Sequence, residues 1–146
     1  MTGERDVLIT VVSRQQFQQE KPETTKLVTQ GVLRRCDGSL ELSYAESELT
    51  GLSGTTTTFH VEPSRLVLTR SGGVTSQMVF APEQENASLY DMGFGALLVT
   101  VRTQELRVRL NENGGSITVR YAIAIEEETT GQISYRITVR PIWPKK

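Results

Sequence analysis

Cysteine, histidine and tryptophan each occur once in the 146 residues, and each scarcity removes a class of chemistry. With Cys36 alone, no internal disulfide forms and no cysteine cage can hold zinc. His60 alone cannot supply a metal site or a histidine relay. No metal or other cofactor is expected. Long apolar runs are missing too: near the N-terminus only Val7–Val12 is apolar, and Thr10 interrupts it. That stretch is too short for a secretory signal or a bilayer span, so a cytoplasmic protein without membrane contact is expected. A charge excess is absent, with Lys+Arg 16 against Asp+Glu 17, which gives no general electrostatic case for nucleic acid. Helical periodicity is absent as well: no segment repeats its apolar residues every 3.6 positions over three turns. The length suits one domain over residues 1–146, with strands within about 7–140 and a tail over 141–146.

What the chain does have is alternation. Ile117, Val119, Tyr121, Ile123 and Ile125 alternate with Thr118, Arg120, Ala122, Ala124 and Glu126. Ile133, Tyr135, Ile137 and Val139 alternate with Ser134, Arg136, Thr138 and Arg140. Successive side chains of a strand face opposite sides, so this pattern means antiparallel strands with one dry face. Further strands are expected at Val7–Arg14, Lys26–Arg34, Leu40–Ala45, Thr55–Glu62, Arg65–Arg70 and Val74–Phe80. The polar stretch Gln15–Thr25 reads as a loop or frayed strand end, and Pro82 with the residues after it as a single helical turn. Ala96–Asn111 reads as two strands or one long bulged strand. Asp37-Gly38, Asn113-Gly114 and Thr130-Gly131 supply turn chemistry. Short strands joined by short turns give an all-β fold: one antiparallel, mostly up-and-down barrel of about 8–10 strands, with a sandwich as the alternative. A closed barrel also removes exposed sheet edges.

The candidate functional residues are few. Six arginines fall within residues 96–146, a segment with 8 basic and 5 acidic side chains, whereas residues 1–95 have 8 and 12. If the polar face looks inward, Arg102, Arg120 and Arg136 line a lumen and anchor an anionic ligand by bidentate contacts. His60 and Tyr44 complete that candidate set. If the polar face looks outward, the arginines are the solvated side of the sheet, and alternation alone does not say which. A catalytic His60 would need an orienting carboxylate, for which Glu62, two residues on, is the candidate. Cys36 has no local feature that would lower its pKa. Ser71-Gly72-Gly73 lacks the following helix of a phosphate loop and reads as a hairpin turn. No triad, paired-carboxylate motif or metal spacing supports an enzyme. Trp143, between Pro141 and Pro144, reads as packing on its own domain.

Several phrases also carry a family resemblance. Ser43-Tyr44 with Glu46 and Gly51 comes first, then Arg70-Ser71-Gly72. Tyr90 follows with Met92, Phe94 and Gly95, and finally Gly115 and Tyr121. In this order and spacing the chain, from about Val7 to Val139, resembles the YwiB-like family of small bacterial proteins. That resemblance implies a calycin-like (lipocalin-like) barrel and carries over no catalytic residue. Besides an enzyme and an RNA-binding barrel, the latter weakened by few exposed-looking aromatics and the net charge of −1, two functions are weighed. One is a barrel that binds a small anionic or amphipathic ligand, which requires an internal cavity of a few hundred Å3. The other is an interaction module with a side-chain-filled barrel, a homodimer being one form of it.

Overall fold

The computed structural model describes residues 3–47, 52–91 and 95–142. Period-two alternation becomes ten strands: β1 (Gly3–Phe17), β2 (Glu23–Cys36), β3 (Ser39–Ala45), β4 (Thr55–Glu62) and β5 (Arg65–Gly72), followed by β6 (Ser76–Phe80), β7 (Glu85–Asp91), β8 (Ala96–Asn111), β9 (Gly114–Ile125) and β10 (Thr129–Pro141). They form one antiparallel sheet in the order β6-β5-β4-β3-β2-β1-β10-β9-β8-β7. The first and last strands pair along eleven residues, Val7 opposite Pro141 to Phe17 opposite Gly131. The remaining edges, β6 and β7, meet through one reciprocal bridge, in which Thr75 and Asp91 exchange N–H···O bonds of 2.8 Å. The sheet thus curls into a barrel with a thin seam between β6 and β7.

The dry rows face inward. Ile117, Val119, Tyr121, Ile137 and Val139 are buried with Val7, Ile9, Leu42, Phe59, Leu66, Leu68 and Phe80 in one core. This settles the choice that alternation left open. Burying apolar area from ten strands is favourable only if those rows share the inside, at about 25 cal/mol per Å2 removed from water.

Several boundaries differ from expectation, each for a tertiary reason. Most of the polar stretch Gln15–Thr25 is strand, because β1 and β2 pair from Gly3–Arg35 to Gln15–Glu23. Cross-strand hydrogen bonding carries residues whose own propensity is weak. The segment after Pro82 forms no helical turn: Glu85–Asp91 is β7, paired with β8 along its length. Ala96–Asn111 is one strand with a bulge between Thr103 and Glu105. That shift returns Leu106, Val108 and Leu110 to the inner face. The last hairpin turns at Glu126 and Glu127, both at positive φ, while Gly131 lies within β10 opposite Ile123 and Phe17. Asp37-Gly38 and Asn113-Gly114 do turn the chain, with Gly38 at φ 78 and Gly114 at φ 107. Trp143 lies outside the described residues.

Candidate functional site

The inner face is not filled throughout. At the end carrying the β1–β2 and β3–β4 connections, side chains leave a cavity of about 440 Å3. Val11 and Leu27 line its deeper apolar part; Ser13, Gln15, Glu23 and Thr25 lie nearer its rim. Tyr44, Tyr90 and Tyr135 form much of the remaining wall.

Its centre is built by register. Tyr44, Thr57, Arg70 and Ser76 occupy one row across β3, β4, β5 and β6, all directed inward. Opposite them, β10 contributes Tyr135, and Tyr121 on β9 lies beneath it. The rings of Tyr121 and Tyr135 are 6.3 Å apart, and that of Phe80 stands 4.7 Å from Tyr121. This aromatic ladder connects the dry core to the cavity floor. All four tyrosines of the sequence, 44, 90, 121 and 135, therefore converge around Arg70.

Among the described residues, Arg70 is the single cation lining the cavity. Burial opposes its charge, but the oxygens of Tyr135, Tyr90 and Glu46 outweigh that and raise its pKa above the ordinary arginine value. It is a cation at any physiological pH. Its Nε is buried without a protein partner, as is Oγ of Ser76 beside it. A buried donor left unpaired costs about 1–3 kcal/mol; both atoms are shut off from the cavity, which Arg70 lines and Ser76 does not. Glu46, itself buried, accepts a hydrogen bond of 2.5 Å from Oγ1 of Thr57. Tyr44 is pushed up well beyond the ordinary phenol range, first by burial and then by the Glu46 carboxylate. Burial also raises Tyr121, helped by Tyr135. Both phenols stay neutral and serve as donors or acceptors.

Of the expected contacts, only Tyr44 is in the cavity. Arg102, Arg120 and Arg136 are exposed on the outside of the barrel. They occupy positions of opposite parity to the buried rows, so they cannot line the lumen. Arg102 borders an open outer groove of about 510 Å3 with Gln16, Thr100 and Gln132. His60 is also on the outer face. Its Nε2 lies 3.1 Å from Oγ1 of Thr69 and its Nδ1 3.5 Å from Oε2 of Glu41. Glu62, two residues on in the sequence, holds Arg65 instead, at 2.5 Å. Arg70 was legible only as part of a turn phrase. Its inward parity on β5, shared with Leu66 and Leu68, was the signal that places it inside. Among the described residues, no three His, Cys, Asp or Glu side chains are grouped to hold a metal ion.

Residues 9–137 match the family described as a domain of unknown function, DUF1934. The chain belongs to that family. This DUF1934 domain is also similar to a solved structure, the crystal structure of the YwiB protein from Bacillus subtilis. The two share 20% identity over 92% of each chain with a TM-score of 0.75, a likeness that shows the barrel fold. No curated protein matches the chain. Five of the positions that carry the YwiB-like resemblance, Tyr44, Glu46, Arg70, Tyr90 and Tyr121, are distant in sequence yet surround or floor one cavity, while Gly51, Met92 and Phe94 lie outside the described residues.

Proposed function

We propose that this DUF1934 barrel is a binding protein for a small amphipathic anion, held in the cavity by Arg70. One observation carries the reading: the Arg70 guanidinium lines a cavity of about 440 Å3, within the range of small-molecule sites. A carboxylate or similar head would meet Arg70, with the Tyr135 hydroxyl as a second donor. A donor on the ligand would meet Glu46. An apolar body would lie along Val11 and Leu27. A cavity, not a filled interior, favours binding over the interaction-module alternative. The chemistry is binding without catalysis: His60, the one imidazole, is on the opposite side of the sheet from the cavity.

Native mass spectrometry of gently purified protein tests this, beside a denatured control and Arg70→Gln. The expected result is an adduct of defined mass, lost on denaturation and depleted in Arg70→Gln. Arg120→Ala, outside the barrel, should retain it. Thermal shift with a panel of medium-length aliphatic and aromatic carboxylates provides the second arm. If no adduct appears and no carboxylate stabilises the wild type, the cavity is not an anion site.

A further inference from the structure

The outside of the barrel is electrostatically divided, and the division follows strand register. On one side, arginines have carboxylate partners: Arg34 bonds Glu4 at 3.0 Å and Arg65 bonds Glu62. On the outer face of β1, β10, β9 and β8 the pattern changes. One row reads Arg14, Ser134, Arg120, Glu105; the next reads Val12, Arg136, Thr118, Arg107; the third reads Thr10, Thr138, Ser116, Arg109. Arg140, opposite Leu8, extends the patch.

On the same outer face lie Arg102 on β8 and Asp6 on β1; the three rows and Arg140 themselves hold six arginines and one carboxylate, Glu105. It serves two of them loosely, at 3.4 Å from Arg107 and 3.9 Å from Arg120. Among the described residues, Arg14, Arg109, Arg136 and Arg140 form no ion pair. Within rows the arginines are two strands apart, about 10 Å, with Ser134 or Thr118 between them. The overall charge of −1 conceals this face because the acids gather elsewhere.

We propose that this face binds double-helical nucleic acid through its phosphates. Guanidiniums interleaved with hydroxyls are the side chains that make phosphate contacts. The three rows contain no aromatic residue, so the stacking platform that holds unpaired bases is missing. Recognition is therefore of backbone and shape, without sequence. A protein partner fits less well. The rows lack the buried aromatic or aliphatic anchor that gives protein interfaces their affinity, and Val12 is the single aliphatic side chain among them. This inference is independent of the cavity, which lies on the inner side of the sheet and takes lining residues from only β1 and β10 of these four strands.

The test is fluorescence anisotropy of the full chain with a short RNA duplex and a DNA duplex of matched sequence, over a salt series. Six cations offset by Glu105 leave about five phosphates neutralised, giving a log–log salt slope of about −4.5. Affinity should then fall about 500-fold between about 50 and about 200 mM salt. Reversing two exposed charges, Arg107→Glu with Arg136→Glu, should weaken binding at least tenfold and flatten the slope, while Arg70→Gln leaves both unchanged. Circular dichroism checks that each variant is folded. Tighter binding to one duplex names RNA or DNA as the source of the phosphates. The proposal is overturned if neither duplex binds at low salt, or if binding survives the double reversal. It is equally overturned if polyglutamate or anionic vesicles bind as well as the duplexes.

Discussion

Arg70 and Tyr135 face each other across the barrel from β5 and β10, strands with four others between them in either direction around the sheet. They are as far apart in the hydrogen-bonded order as two residues of this fold can be. Only closure of the barrel brings the phenol to the guanidinium, and the cavity exists where the two approach.

Removing the Tyr135 hydroxyl should therefore weaken a bound anion. Tyr135→Phe keeps the ring beside Tyr121 and deletes one donor. A hydrogen bond to a charged group contributes about 1.5–3 kcal/mol, so carboxylate affinity should fall at least tenfold, and the melting temperature should fall as well because the same hydroxyl bonds the buried Arg70 and Tyr121. Isothermal titration with the best carboxylate from the panel measures the first, and a thermal melt the second. Equal affinity in both proteins would remove Tyr135 from the site.

Alkaline pH should unfold the barrel before its buried phenols ionise. Tyr44 and Tyr121 both have folded pKa values raised by burial above the value of about 10 of an unfolded tyrosine. The folded state prefers the neutral phenol, so its contribution is complete below about pH 10 and is lost as pH rises beyond it. Denaturant midpoints should fall above about pH 10, and less steeply in Tyr44→Phe. If the midpoint stays flat, the two hydroxyls are better solvated than the fold indicates.

Truncating the dry row should be costly. Ile117 is fully buried in the core, and Ile117→Ala should destabilise by about 2–5 kcal/mol in urea titrations. Thr118→Ala, one residue along and on the outer face, should change stability by less than about 0.5 kcal/mol. Similar costs for both would mean that the two faces are not separated as described.

One glycine should resist substitution because of contact, not of backbone conformation. A Cβ at Gly31 would run into Cδ1 of Ile9 and the carbonyl oxygen of Ser43. Overpacking of this kind costs about 1–3 kcal/mol, so Gly31→Ala should lower the unfolding midpoint accordingly. Gly3→Ala, where a Cβ meets nothing, is the matched control.

The sequence by itself determined the class of this protein and the contents of its core. Alternation is a local property, since adjacent side chains of a strand always part to opposite faces, so the rows Ile117–Ile125 and Ile133–Val139 could be read directly. The meander followed from short turns. Only the tertiary structure decided where polar groups meet. Arg102, Arg120 and Arg136 seemed suited to a lumen because parity says that residues share a face without saying which face is inside; closure turned them outward. Arg70 looked like part of a turn, yet register placed it in line with Tyr44 and opposite Tyr135. The paired run of β1 with β2 likewise overrode the polar composition of Gln15–Thr25. Both sites combine residues far apart along the chain. Sequence separation does not encode that proximity, because strand order and closure create it.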